Sequence, residues 1–514
     1  MTFPASDGSS VSLAIQQRPE LMLGPNPFIE ALPPPIKFTA LPAALKRAPL
    51  ANVAWQGMDA ALREPFLEVS SQHFVSTAAL LEPASGVQIL LRRALLMRNP
   101  LNADERKRMN RLGLVDAKPG LKSLPRLEGA GMLLSGMTGT GKTALLARML
   151  ELIVPEQIID FGKSEACGWY RLRQCVYLRV DHPSNGTRGA LLKRILQELD
   201  NALGTDYFSE HKKSANLDTL LVVVCKLLSL HRVALISIDE KQQSTFGDSP
   251  WRLEFVLFYL TLMNLGISVI LAGNPLAFEH LRVFSQVVRR FSIGGIYDML
   301  PASSSSENWW SRDFVPFARK FSVIDKWAVE PERQAALEFE HSGGLPGLFV
   351  PYNVEVQRSA LRRGGTTAVV TEKDFAAAAN SPRFIEVKKI ALSIQGSGAG
   401  EINEFLDVPL LPVAGAGSRD SSSSKTLPVL PSDRAVAVVK RLLATYKAAQ
   451  TRKTNALIQQ LSVLKSLDPD DVRGLGITED LLSELERTTT SMPKRAPGKK
   501  SVPRPKDGGK DDAA

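Results

Sequence analysis

Eight consecutive residues, Gly136, Met137, Thr138, Gly139, Thr140, Gly141, Lys142 and Thr143, carry the clearest chemistry in the chain. Glycines at the first, fourth and sixth positions let backbone N–H groups turn inward around phosphate oxygens. Lys142 then meets the terminal phosphates of a nucleoside triphosphate, and the Thr143 hydroxyl suits a magnesium ion. Some ninety residues on, the apolar run Val233–Ile238 ends in Asp239 and Glu240. Asp239 suits the magnesium shell, and Glu240 suits polarisation of an attacking water. A third apolar run, Ser268–Ala272, ends at Gly273, Asn274 and Pro275. Asn274 can orient that water or simply begin a turn ahead of a proline. Arg289 and Arg290 close a helical segment expected over Ala277–Val288. They can complete a neighbouring subunit's phosphate site, or only complement a helix carboxyl end.

Such residues converge only if strands and helices hold them. The short apolar runs Gly131–Ser135, Cys175–Val180, Val233–Ile238, Ser268–Ala272 and Ile296–Leu300 alternate with helix-period segments. In one of these, Leu192, Ile195, Leu196, Leu199 and Leu203 share a face. Alternation of this kind predicts an α/β domain whose parallel sheet is covered on both sides. The P-loop pattern follows a strand and precedes the helical run Ala144–Leu150, which is the context it requires.

The chain of 514 residues is too long for one core. Residues 1–50, with proline clusters, read as an extended arm whose apolar residues can dock on a partner, and 51–125 as a mixed region with a helix over Gly86–Met97. The nucleotide-binding core spans 126–300 and a helical region 301–395. A Gly/Ser/Pro-rich linker covers 396–432, two amphipathic helices fall within 433–490, and 491–514 form a disordered basic tail. Sixty-three Lys and Arg against 53 Asp and Glu leave a net charge of +10, which favours an anionic partner such as nucleic acid or gives a solvated basic surface. Three cysteines show neither even pairing nor metal-ligand spacing, as suits a cytoplasmic protein. The uncharged stretch between Glu254 and Glu279 is long enough to span a bilayer. Gly266 divides it into a helix-period half and a β-branched half, so helix, turn and strand are expected there and no membrane span.

Together the P-loop, the Asp239–Glu240 pair, Asn274 and the Arg289–Arg290 pair resemble the AAA+ ATPases. More specifically, the chain resembles the TnsC branch, ATP-dependent regulators of heteromeric cut-and-paste transposons related to TniB and IstB. That likeness runs over roughly residues 20–395. It includes Asn26-Pro-Phe-Ile-Glu-Ala-Leu-Pro-Pro34, Arg98-Asn99-Pro100, and Val176-Tyr-Leu-Arg-Val-Asp181 followed by Asn185-Gly186. The resemblance implies a five-stranded AAA+ core with a helical lid, ATP and Mg2+ as cofactors, and subunits that assemble as rings or filaments on duplex DNA. It also implies a target-site selection protein of the TnsD/TniQ type and transposase subunits as partners. Thr187, Arg188 and Lys193 are then the DNA contacts, although a solvated helix face accounts for them equally. Lys241 and Gln243 depart from the pattern at positions bearing on hydrolysis. The Gly343-Gly-Leu-Pro-Gly347 segment lacks the arginine that many lids place near the nucleotide. Two other readings share the same ATP site: a helicase or replication-factor loader, and a scaffold that binds ATP without hydrolysing it.

Overall fold

The computed structural model describes residues 19–395, apart from 117, 184–186, 213–215, 242–251, 276–277, 279–280 and 282–284, and without the side chains of 19, 71, 118–119, 240–241, 252–254 and 393–395. The expected linker, carboxyl-terminal helices and basic tail lie outside the described residues, as does half of the helix expected over Ala277–Val288; its end is helical, within Ser285–Phe291.

Nine strands are described: β1 (Gly131–Gly136), β2 (Ile158–Phe161), β3 (Leu172–Cys175), β4 (Tyr177–Asp181), β5 (Leu235–Lys241), β6 (Ser268–Gly273), β7 (Ile296–Met299), β8 (Lys326–Trp327) and β9 (Val369–Val370). Five of them form one parallel sheet in the order β4-β5-β6-β1-β7. Side chains alternate across its plane, as a strand's period of two demands. Leu133, Ile236, Ile238, Val269 and Leu271 face the helices Arg188–Leu203, Leu217–Leu230 and Arg252–Asn264. Met132, Leu134, Leu235 and Ile270 face the helices Ala78–Met97 and Lys142–Ile153. Both faces are therefore dry, which is why the strands read as continuous apolar runs in place of an apolar/polar alternation.

The uncharged stretch resolves as the helix Arg252–Asn264, a turn at Gly266 and β6. Among the described residues, no helix is long and apolar enough to cross a membrane. The run expected as one strand over Cys175–Val180 is split. The antiparallel β2–β3 pair ends at Cys175, and the parallel β4 begins at Tyr177. Val176 is the corner: its N–H donates to Gln157 O and its carbonyl accepts from Ala234.

From Pro19 onward the segment expected as an extended arm is folded onto its own chain. Phe28, Ile29, Leu32, Leu41 and Leu45 are buried against the helix Ala78–Met97. Asn26 caps the short helix Pro27–Glu30 by accepting from Phe28 N, and its amide donates to Leu95 O at 3.1 Å. Asn99 returns a bond to Pro25 O at 2.9 Å. The two motifs Asn26–Pro34 and Arg98–Pro100 thus clasp each other, with Phe28 stacked on Trp169 at 5.8 Å.

Residues 301–395 are mainly helical, with Pro331–Ser342 and Pro346–Gly364 as the longest helices. Part of the preceding region belongs physically with them. Leu50, Trp55 and Leu67 share a core with Tyr352, Val356 and Phe375. Arg358 is held by Glu64 at 3.1 Å and Glu68 at 3.0 Å, and Arg63 donates to Gly365 O at 2.7 Å.

Candidate nucleotide-binding site

The loop between β1 and the helix Lys142–Ile153 forms the floor of a cavity of about 700 Å³. Gly139 and Gly141 take φ of +91° and +94°, a left-handed conformation that side-chain-bearing residues rarely adopt. The helix that follows presents its positive amino end to the same space. Lys142 is buried, and its ammonium donates to Gly136 O at 2.7 Å and Met137 O at 2.9 Å. Burial pushes the Lys142 pKa down to about 8, against the raising influence of Asp239. A lysine this dry is poised to accept a phosphate's charge as partner.

Asp239 comes from the carboxyl end of β5, two strands from β1 in the sheet. The Thr143 hydroxyl donates to Asp239 Oδ2 at 2.5 Å, so the two groups expected to hold magnesium touch. The register of β5 on β6 slips here: Ile238 pairs with Leu271 but Lys241 pairs with Gly273. Asp239 and Glu240 together oppose a single residue, a bulge of the kind that re-aims side chains beside functional sites. The Glu240 backbone is in place, while its side chain lies outside the described residues. Asn274, buried at the end of β6, lines the same cavity. All eight loop residues but Met137 line it as well; Met137 is buried beneath and contributes its carbonyl to Lys142.

The roof comes from the lid. Gly347 N donates to Gly139 O at 2.8 Å, and a Cβ on Gly347 would stand 2.5 Å from Gly139 Cα. The glycine quoted from the Gly343–Gly347 segment is therefore a point of direct backbone contact with the P-loop. Asn353 and Gln357, further along the same helix, also line the cavity, as do His73 and Phe74 from the amino-terminal region. Sequence reasoning missed these four. Amides inside a helix and aromatics outside a motif carry no spacing signal, and only the Gly-Pro pattern beside them marked the place.

Arg289 and Arg290 stand elsewhere. Their helix ends just before Gly294, whose N–H donates to Gly131 O at the start of β1. They thus lie at the amino edge of the parallel sheet, whereas the P-loop leaves its carboxyl edge, roughly 20 Å away for a six-residue strand. Burial and the neighbouring Arg289 and Arg126 lower the Arg290 pKa, and Glu128 opposes this. Among the described residues, Lys142 is the lone Lys or Arg lining the cavity, beside the carboxylates of Asp239 and Asp298.

The expected DNA contacts have local structural work. Thr187 caps the helix Arg188–Leu203 by accepting from Ala190 N. Arg188 pairs with Asp218 at 3.5 Å. Lys193 is half-buried on that helix.

The parallel sheet and its P-loop define the class: the chain carries an AAA+ P-loop domain. Residues 127–281 match the family model described as "AAA domain". No curated protein matches the chain. Solved structures similar to it include Cdc6p from Pyrobaculum aerophilum, at 12% identity over 75% of this chain and 92% of that one, with a TM-score of 0.35. The ORC2 protein of Aeropyrum pernix gives 12% identity, 76% and 86% coverage and a TM-score of 0.35. The Walker-type ATPase paby2304 of Pyrococcus abyssi gives 18%, 75%, 88% and 0.33.

Proposed function

We propose that the chain is an ATP-hydrolysing switch that governs DNA transposition, assembling with copies of itself on duplex DNA and linking a target-site selection protein to the transposase. The observation that carries the ATP reading is the convergence of Lys142, Thr143, Asp239 and Asn274 on one cavity, with Thr143 and Asp239 at 2.5 Å. Those two oxygens would hold Mg2+, which supplies charge neutralisation to the β- and γ-phosphates when bound. The Glu240 carboxylate takes a proton from water as its oxygen attacks the γ-phosphorus, with Asn274 orienting it. The bond to the bridging oxygen breaks, and that electron pair leaves with ADP.

A triphosphate brings more negative charge than Lys142 and one magnesium ion balance, and Asp239 and Asp298 add to it. Arg289 and Arg290 do not line their own cavity, so they serve a neighbour's. Binding energy between subunits then depends on the γ-phosphate and is released on hydrolysis. The net charge of +10 supports a nucleic-acid partner held through backbone phosphates. Thr187 and Arg188 have capping and pairing roles, which leaves Lys193 and the basic tail as the stronger DNA candidates. The transposition role rests on the Asn26–Pro34 and Arg98–Pro100 resemblance.

Electron microscopy of the purified protein with duplex DNA and a non-hydrolysable ATP analogue tests this reading. Large ring-like or filamentous assemblies are expected, absent with Lys142→Ala and long-lived with Glu240→Gln in ATP. Unchanged monomers for the wild type would remove it. Equal ATP turnover by the wild type and Glu240→Gln would leave a scaffold that binds nucleotide without hydrolysing it through Glu240.

A further inference from the structure

The lid half of the cavity is walled by two buried amides whose orientation is fixed. Gln357 accepts through Oε1 from Val323 N at 2.8 Å, and the Ser322 hydroxyl, 3.1 Å from the same oxygen, shares its single proton with Ile324 O at 2.9 Å. A backbone N–H can only donate, so the Val323 bond fixes the Gln357 oxygen on that side and turns its NH2 towards Asn353. That NH2 donates to Asn353 Oδ1 at 2.6 Å, and Asn353 Nδ2 donates in turn to Glu338 Oε1 at 2.8 Å. Flipping the Asn353 amide would set its NH2 against that of Gln357, so the observed orientation is locked. Once these bonds are counted, Asn353 retains one acceptor lone pair and one N–H.

A lone pair beside an N–H is the complement of adenine, whose 6-amino group donates and whose adjacent ring nitrogen accepts. Guanine presents two acceptors, O6 and N7, at the corresponding edge, and would set O6 against the Asn353 oxygen. Location agrees. Gly347 touches the P-loop, and Asn353 lies six residues further along the same helix, about 9 Å at 1.5 Å per residue. Across the cavity wall the His73 ring stacks on Phe321, with centroids 3.9 Å apart and planes 12° from parallel.

We infer that Asn353 is the residue that selects adenine over guanine, with Gln357 and Glu338 acting as positioning residues that hold its amide. This rests on reading the cavity as an ATP site and adds the half of the nucleotide that the P-loop does not touch.

The test is competition binding to the full-length protein by ATP, GTP, a purine-riboside triphosphate lacking the 6-amino group, and inorganic tripolyphosphate. Wild type should bind ATP roughly tenfold or more tightly than either GTP or the amino-less analogue. Asn353→Leu should bring the three nucleotides within about threefold of one another and leave tripolyphosphate binding as in wild type. Glu338→Gln, which keeps an acceptor for Asn353 Nδ2, should retain the preference. Equal wild-type affinity for ATP, GTP and the amino-less analogue would overturn the inference even if Asn353→Leu fails to fold. So would a folded Asn353→Leu that keeps its preference. The underlying site reading fails separately: if Lys142→Ala binds tripolyphosphate and ATP as wild type does, the phosphates are not held where proposed.

Discussion

Replacing Gly347 with alanine adds a single methyl group where the lid meets the P-loop. The new Cβ would lie 2.5 Å from Gly139 Cα, 3.0 Å from Gly139 O and 3.2 Å from Gly139 C. These are backbone atoms, so no flexible side chain can move aside. An ordinary carbon–carbon contact needs about 3.5–4.0 Å, so the helix Pro346–Gly364 must retreat by roughly 1 Å. Overpacking of this kind costs about 1–3 kcal/mol, and the retreat stretches the 2.8 Å bond from Gly347 N to Gly139 O. Alanine's better helix propensity offsets at most about 1 kcal/mol, and less at a helix's first turn. The net loss of about 1–2 kcal/mol in the closed cavity predicts an ATP affinity roughly 5- to 30-fold weaker. Titration of a fluorescent ATP analogue reads this directly. A parallel thermal melt should fall by only a few degrees, because the clash is relieved at the lid and leaves the sheet's two cores intact. Unchanged affinity would refute the lid contact as drawn, and affinity lost together with the fold would show that the contact supports the domain and not the site.

Phe28→Ala should destabilise the protein by about 3–5 kcal/mol in denaturant unfolding, because the ring is 1% exposed and stacked on Trp169; a loss under about 1 kcal/mol would return the amino-terminal run to the role of a partner-docking arm. Burial raises the Glu338 pKa from 4.5 to about 8. The folded state therefore holds a proton that the unfolded chain releases, and stability should fall as pH rises from about 4.5 through 8, by at most about 1.4 kcal/mol per unit. Glu338→Gln should flatten that slope in pH-dependent melts, and an identical slope would contradict it. Lys142 has the opposite sign: its pKa falls from 10.5 to about 8, so its burial penalty is full below pH 8 and fades towards 10.5. ATP affinity of the free protein should weaken above about pH 8 as the ammonium is lost, and Lys142→Met should lack that dependence in whatever binding remains.

The nucleotide core was legible because its signals are local. The P-loop glycines sit between a strand and a helix, and β5 and β6 are uninterrupted apolar runs because both of their faces are covered. What stayed illegible depends on contacts made at long range. The helix expected from Gly86 begins at Ala78 and runs through Pro83. Gly86 lies inside the helix because Gly294 O and the Met132 side chain approach within 2.5 Å of where its Cβ would be. Proline clusters in residues 1–50 read as an extended arm, and only the packing along Ala78–Met97 gives the apolar residues Phe28 to Leu45 an intramolecular partner. Asn353 and Gln357 are ordinary helix residues in sequence, and they gain meaning only from the lid's contact with Gly139. The bulge at Asp239 and Glu240 is likewise a property of the pairing with β6, which no single strand records.

The central claim is that each triphosphate pocket is built by one subunit and completed by arginines of the next. It is tested most directly by mixing two inactive variants: Lys142→Ala, which cannot hold nucleotide but keeps its arginines, and Arg289→Ala/Arg290→Ala, which keeps its pocket but offers none. Each alone should hydrolyse ATP at background rates, and the double arginine variant should still bind ATP with wild-type affinity as a single subunit. Mixed on duplex DNA, they should recover a measurable fraction of wild-type turnover, because intact pockets then adjoin intact arginines. Mixed assemblies that form and yet remain as inactive as their parents would contradict the account, as would an arginine variant that turns over ATP unaided.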